Sequence, residues 1–145
     1  MTEPAAGPPP VLATTFVRAD LSRLRHVVTG HAAAGGLRGQ RLTDFVLAVN
    51  EIITNAIRYA EGVGRLRMWT ADDQVCCEVS DSGGGIPPDR ISPQRPPAAS
   101  DGGRGIWLAR QLCDRMTVDS GPAGTTVCVA TALDGELSPA AAGGR

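Results

Sequence analysis

Leu47-Ala-Val-Asn-Glu-Ile-Ile-Thr-Asn-Ala-Ile-Arg-Tyr-Ala60 is the stretch on which the fold turns. It sits in the longest periodic segment of the chain, about 42–60. There Leu42, Phe45, Val49, Ile53, Ala56 and Ala60 recur at helical spacing and fall on one side. Such a stripe asks for a sheet to pack on. On the far side of the same helix Glu51 and Asn55 are i, i+4 neighbours, joined by Asp44 and Arg58. Two meanings are open for that polar arc: a solvated face, or a carboxylate base beside an amide oxygen able to ligate Mg²⁺, a hard cation that takes oxygen ligands.

Working outward, Gly62 is the expected helix C-cap. Residues 65–70 and 74–80 read as a strand pair turned at Ala71, Asp72 and Asp73. A Gly-, Pro- and Ser-rich loop covers 83–103, a short helix about 105–114, and a last hairpin 115–119 and 125–131. Upstream, residues 11–17 read as a strand, with Asp20 as N-cap of a helix reaching Ala34. The order strand, two helices, two strands, helix, two strands predicts an α+β fold. It is a two-layer sandwich with helices on one face of a mixed or antiparallel sheet. One domain is expected over residues 10–132, between a disordered tail 1–9 and a flexible tail 133–145.

Composition removes several classes of function. The 145 residues carry a net charge of −1, which leaves no electrostatic case for nucleic acid or an anionic membrane. No apolar run spans a bilayer, and MTEPAAGPPP is not a signal peptide, so a cytoplasmic location is expected. All 14 basic residues are arginine. A P-loop and the strand lysine of common protein kinases are therefore both missing. Cys76, Cys77, Cys113 and Cys128 form no CxxC pair, and His26 and His31 do not share a helix face, so neither set indicates a metal site.

Three further segments carry chemistry. Asp81-Ser-Gly-Gly-Gly-Ile86-Pro87 follows a strand; its glycines allow close backbone approach to a flat ligand, and Asp81 can accept a bond from an exocyclic amine. A tight turn with an incidental Asp would look the same. Gly102-Gly-Arg-Gly105-Ile106 leads into a helix whose free N–H groups attract phosphate. Gly124-Thr125-Thr126 opens the last strand, where a hydroxyl could complete a polar pocket.

The ordered strings LAVNEIITNAIRYA, VSDSGGGIP, GGRGIWLARQLCDRM and GTTVCV resemble the motifs of the Bergerat ATP-binding fold, the histidine kinase-like ATPases. The resemblance spans about 11–131. Within that superfamily the chain is most similar to anti-sigma factor serine/threonine kinases of bacterial partner-switching systems. It implies ATP and Mg²⁺ as cofactors, with Asn55 on the metal, Glu51 as general base and Asp81 on the adenine amine. Gly83 and Gly85 would give the adenine room, with Ile86 beside them. Gly103, Arg104 and Gly105, followed by Ile106, would contact the phosphates, and Thr126 would support the adenine pocket. The loop between Gly85 and Gly102 would be the ATP lid. The implied partners are a sigma factor and a STAS-domain anti-anti-sigma factor, with a homodimer expected. The alternative is an ATP-binding module that holds a sigma factor or STAS partner without phosphotransfer. Relatives often carry His-Gly soon after the asparagine, whereas this chain has Tyr59-Ala60.

Overall fold

The computed structural model describes residues 11–59, 63–86 and 105–133. Within them β1 (Leu12–Phe16), α1 (Leu21–Ala34), α2 (Gly39–Tyr59), β2 (Gly64–Ala71), β3 (Gln74–Asp81), α3 (Gly105–Leu112), β4 (Arg115–Gly121) and β5 (Gly124–Ala132) follow one another. The five strands form one sheet in the order β1-β2-β3-β5-β4, and every pairing is antiparallel. The expected tail 1–9, the expected tail 133–145 apart from Leu133, most of the lid and the Gly62 cap lie outside the described residues, and Leu133 packs against the core.

Parity along the strands decides the two faces. Leu66 and Met68 of β2, Cys77 and Val79 of β3, and Val127 and Val129 of β5 are buried and in mutual register. They meet Leu24 and Val28 of α1, Phe45, Val49, Ile52 and Ile53 of α2, and Ile106 and Ala109 of α3 in one core. The opposite face carries Arg65, Arg67, Trp69 and Glu78. There the Arg67 guanidinium lies 5.3 Å from the Trp69 ring centroid and 3.8 Å from Glu78 Oε1.

Local chemistry explains the joints. Asp72 and Asp73 both take positive φ (54° and 62°), so β2 and β3 close in a two-residue turn whose twist suits the strands. Asp20 does not cap α1 as expected. Its carboxylate turns back to accept the Val17 N–H at 2.9 Å, closing the 3-10 turn Arg18–Asp20, and pairs with Arg23 at 3.4 Å. At the other end of the sandwich Arg41, in the first turn of α2, donates through Nε to the Ala132 carbonyl at 2.8 Å and bonds the Asp114 carboxylate. Asp114 also accepts the Ala132 N–H at 2.8 Å. This brace ties the start of α2 to the end of α3 and the end of β5.

Candidate functional site

Position by position, α2 supplies the first two groups. Asn55 is 8% exposed, so its carboxamide is held inside the protein. Glu51, one turn earlier, is half-buried, and burial pushes its carboxyl above the usual carboxylate range. The solvated-face reading therefore fails for this pair, though it holds for the exposed Arg58. The reason is α3, which packs along α2 at this arc. A methyl group placed on Gly105 would lie only 3.1 Å from Glu51 Oε1, so the bare first residue of α3 lets the helix start against the carboxylate. Ile106, next along, is buried in the core. Gly103 and Arg104 lie outside the described residues.

Asp81 ends β3 and is 7% exposed. Its Oδ1 accepts the Gly83 N–H at 2.8 Å, a side-chain turn that starts the glycine run and uses one of the two carboxylate oxygens. Gly83 and Ile86 are buried and Gly85 is half-buried. Gly85 has φ +98°, and a Cβ there would sit 2.8 Å from the Gly121 carbonyl, so only glycine suits the position.

Reading across the sheet at the level of Asp81 gives Phe16, Gly64, Asp81, Thr125 and Ser120, one from each strand in register. The Phe16 ring lies over the bare Cα of Gly64, where a Cβ would meet Phe16 Cζ at 2.4 Å. Thr125 is buried, and its hydroxyl is 2.7 Å from that of Ser120. Thr126 is offset by one residue. It pairs with Ser80 and Asp119 on the opposite face, so Thr125 rather than Thr126 shares the helix-covered side with Asp81. Both threonines, with Asp81, Ser82 and Arg65, line a cavity of about 400 Å³ at the sheet's end. Sequence reasoning singled out the Gly124-Thr125-Thr126 run but named Thr126 rather than Thr125, and it missed Ser120. The signal was available: Val127 and Val129 point inward, and period two puts Thr125 with them.

The donor set fits a hard cation beside phosphates: a buried amide oxygen, with a carboxylate one helical turn away. Among the described residues there is no cluster of three or more His, Cys, Asp or Glu able to hold a metal by itself. Any such ion would draw most of its ligands from nucleotide and water.

Comparison with known proteins bears on the family and the fold. Serine-protein kinase RsbW of Bacillus velezensis is 29% identical, and that of Bacillus subtilis 28%, each over 78% of both chains. Among solved structures, the histidine kinase domain of the Erythrobacter litoralis EL346 blue-light activated kinase superposes with TM-score 0.52 at 25% identity. That match covers 79% of this chain and 64% of the other. The RsbU and RsbW domains of Rv1364c from Mycobacterium tuberculosis superpose with TM-score 0.60 at 18% identity, covering 85% of this chain and 33% of that one, which speaks to the fold. The histidine kinase-like ATPase domain family matches residues 16–131, the sandwich from the last residue of β1 to the penultimate residue of β5, and the chain belongs to that family.

Proposed function

We propose that this protein is an ATP-dependent serine/threonine protein kinase of a bacterial partner-switching system. In this reading it phosphorylates a STAS-domain anti-anti-sigma factor and sequesters a sigma factor. The observation that carries the reading is the Glu51–Asn55 pair: a half-buried carboxyl with a raised pKa, one turn from a buried amide, against the first residue of α3. The similarity to serine-protein kinases RsbW supports the choice of substrate class.

Each residue then has a task. Asp81, fixed by its bond to the Gly83 N–H, accepts from the adenine amine, which selects ATP over GTP. Thr125 supports that carboxylate from the neighbouring strand, and Thr126 lines the cavity from the other side. Gly83, Gly85 and Ile86 form the adenine wall. Gly103, Arg104 and Gly105, with Ile106 anchoring the helix behind them, receive the phosphates. Asn55 holds Mg²⁺, which when bound offsets phosphate charge. Glu51 takes the proton from the incoming serine or threonine hydroxyl. Its desolvated position raises its basicity toward neutral pH, where a base works best. The protein acts as a cytoplasmic homodimer, without contacting nucleic acid or membrane. No helix among the described residues is long and apolar enough to cross a bilayer.

The test is labelled phosphate transfer from ATP to a purified STAS antagonist, with Glu51→Ala alongside. The variant should bind ATP as the parent does and transfer nothing. Equal transfer by the variant would remove Glu51 from the mechanism. No transfer by the parent, with a sigma factor still captured, would make the protein a non-catalytic ATP-binding regulator.

A further inference from the structure

We infer that Ser120, on β4, is a positioning residue for the nucleotide pocket: its hydroxyl latches the glycine loop after Asp81 to the β4–β5 hairpin. The inference rests on the reading of that loop as the adenine wall.

The contacts form a short relay. The Ile86 N–H donates to Ser120 Oγ at 2.8 Å. Ser120 Oγ in turn is 2.7 Å from Thr125 Oγ1. Thr125 stands opposite Asp81 in the β3–β5 ladder, so the relay runs from the far end of the loop to the strand position beside the residue that precedes it. Beside it the Gly85 Cα approaches the Gly121 carbonyl so closely that a Cβ would be 2.8 Å away. Gly124 lies as close to the start of the loop, where a Cβ would be 3.0 Å from Ser82 Cα, so the Ser120 hydrogen bond works beside two close backbone contacts and is the side-chain tie at the loop's far end.

The loop needs such a tether. Three consecutive glycines, Gly83 to Gly85, give residues 82–86 more backbone freedom than residues bearing a Cβ would. At its near end the Asp81–Gly83 bond fixes the start. At its far end Ile86 is buried, and its N–H has the Ser120 hydroxyl as partner. A serine hydroxyl offers one proton and two lone pairs, enough to accept from Ile86 and still pair with Thr125. Removing it leaves the Ile86 amide without a partner in a part-buried place and releases the loop. Ser120 reaches the loop from an edge strand whose ladder to β5 uses backbone groups only, so the sheet survives its loss. The effect should therefore fall on ligand binding, because a pocket ordered in advance binds more tightly than one ordered on contact.

Ser120→Ala and Ser120→Thr, compared with the parent, decide the matter by two measurements. In nucleotide-free protein, hydrogen exchange at the Ile86 amide should be at least about tenfold faster in Ser120→Ala and return to the parent rate in Ser120→Thr. By calorimetry with Mg²⁺, the ATP Kd should rise about tenfold in Ser120→Ala and recover in Ser120→Thr. Unchanged exchange at Ile86 would overturn the latch. Faster exchange with unchanged ATP affinity would overturn the positioning role while leaving the nucleotide reading intact. A well-folded parent that binds no ATP would overturn the nucleotide reading, and this inference with it.

Discussion

At the scale of single residues, two carboxylates meet different environments. Asp81 is buried and accepts the Gly83 N–H; Glu51 is half-buried, and burial pushes its carboxyl up. Asp81→Asn, which exchanges an acceptor for a donor, should reduce ATP binding below detection by calorimetry in a protein that still folds. The parent should bind ATP and exclude GTP. Glu51 predicts a pH effect of definite sign. Its folded pKa lies above the unfolded one, so the folded state holds the proton more tightly. Stability should decline as pH rises from the ordinary carboxylate range through the raised value, then level off. Glu51→Gln should remove that decline, which urea unfolding at a series of pH values will show. The acid limb of the phosphotransfer rate should likewise lie above the ordinary glutamate range. Legibility in the sequence stopped at one such residue: Thr126 was singled out where Thr125 faces Asp81, because a string of two threonines does not by itself reveal its phase. The neighbouring valines do.

At the scale of elements, the apolar period of α2 makes most of the helix and its partnership with a sheet readable, but not its first turn, Gly39 to Arg41, which lies before the stripe begins. What the period could not show is that a second partner, α3, covers the opposite arc. A single helix has no record of how many neighbours it will have, and the polar pair there resembled a wet surface. The Asp20 cap failed for a related reason: a carboxylate between two possible N–H partners took the one behind it. The Arg41–Asp114 brace, spanning 73 positions, had no local signature at all. Asp114→Ala removes the acceptor of two donors at once and should cost about 1–3 kcal/mol in denaturant unfolding. Gly64→Ala drives a methyl into the Phe16 ring and should cost about 1–3 kcal/mol by overpacking, read in the same assay.

At the scale of the molecule, the sheet order sets what the site is made of. Its walls come from α2, from the end of β3, from α3 and from the start of β5, and β3 and β5 are brought together although α3 and β4 intervene in the chain. Ligand binding should thus stabilise the entire domain and not one lobe of it. ATP with Mg²⁺ at a hundredfold excess over Kd should add about 2.7 kcal/mol to unfolding, visible as a raised Tm that Asp81→Asn loses. The thiols report on the same unit: burial pushes Cys76 and Cys113 up to about 11, so alkylation at neutral pH should be slow until the domain unfolds.

The central β3–β5 pairing also has a consequence in time. During synthesis Asp81 leaves the ribosome more than forty residues before its ladder partner Thr125. Until β5 emerges, β3 carries an unpaired edge and a glycine loop with nothing to rest on. Closure of the sheet is a long-range, late event of the kind that makes folding slow. The nascent chain is therefore most open to aggregation or capture by chaperones in the interval between those two residues.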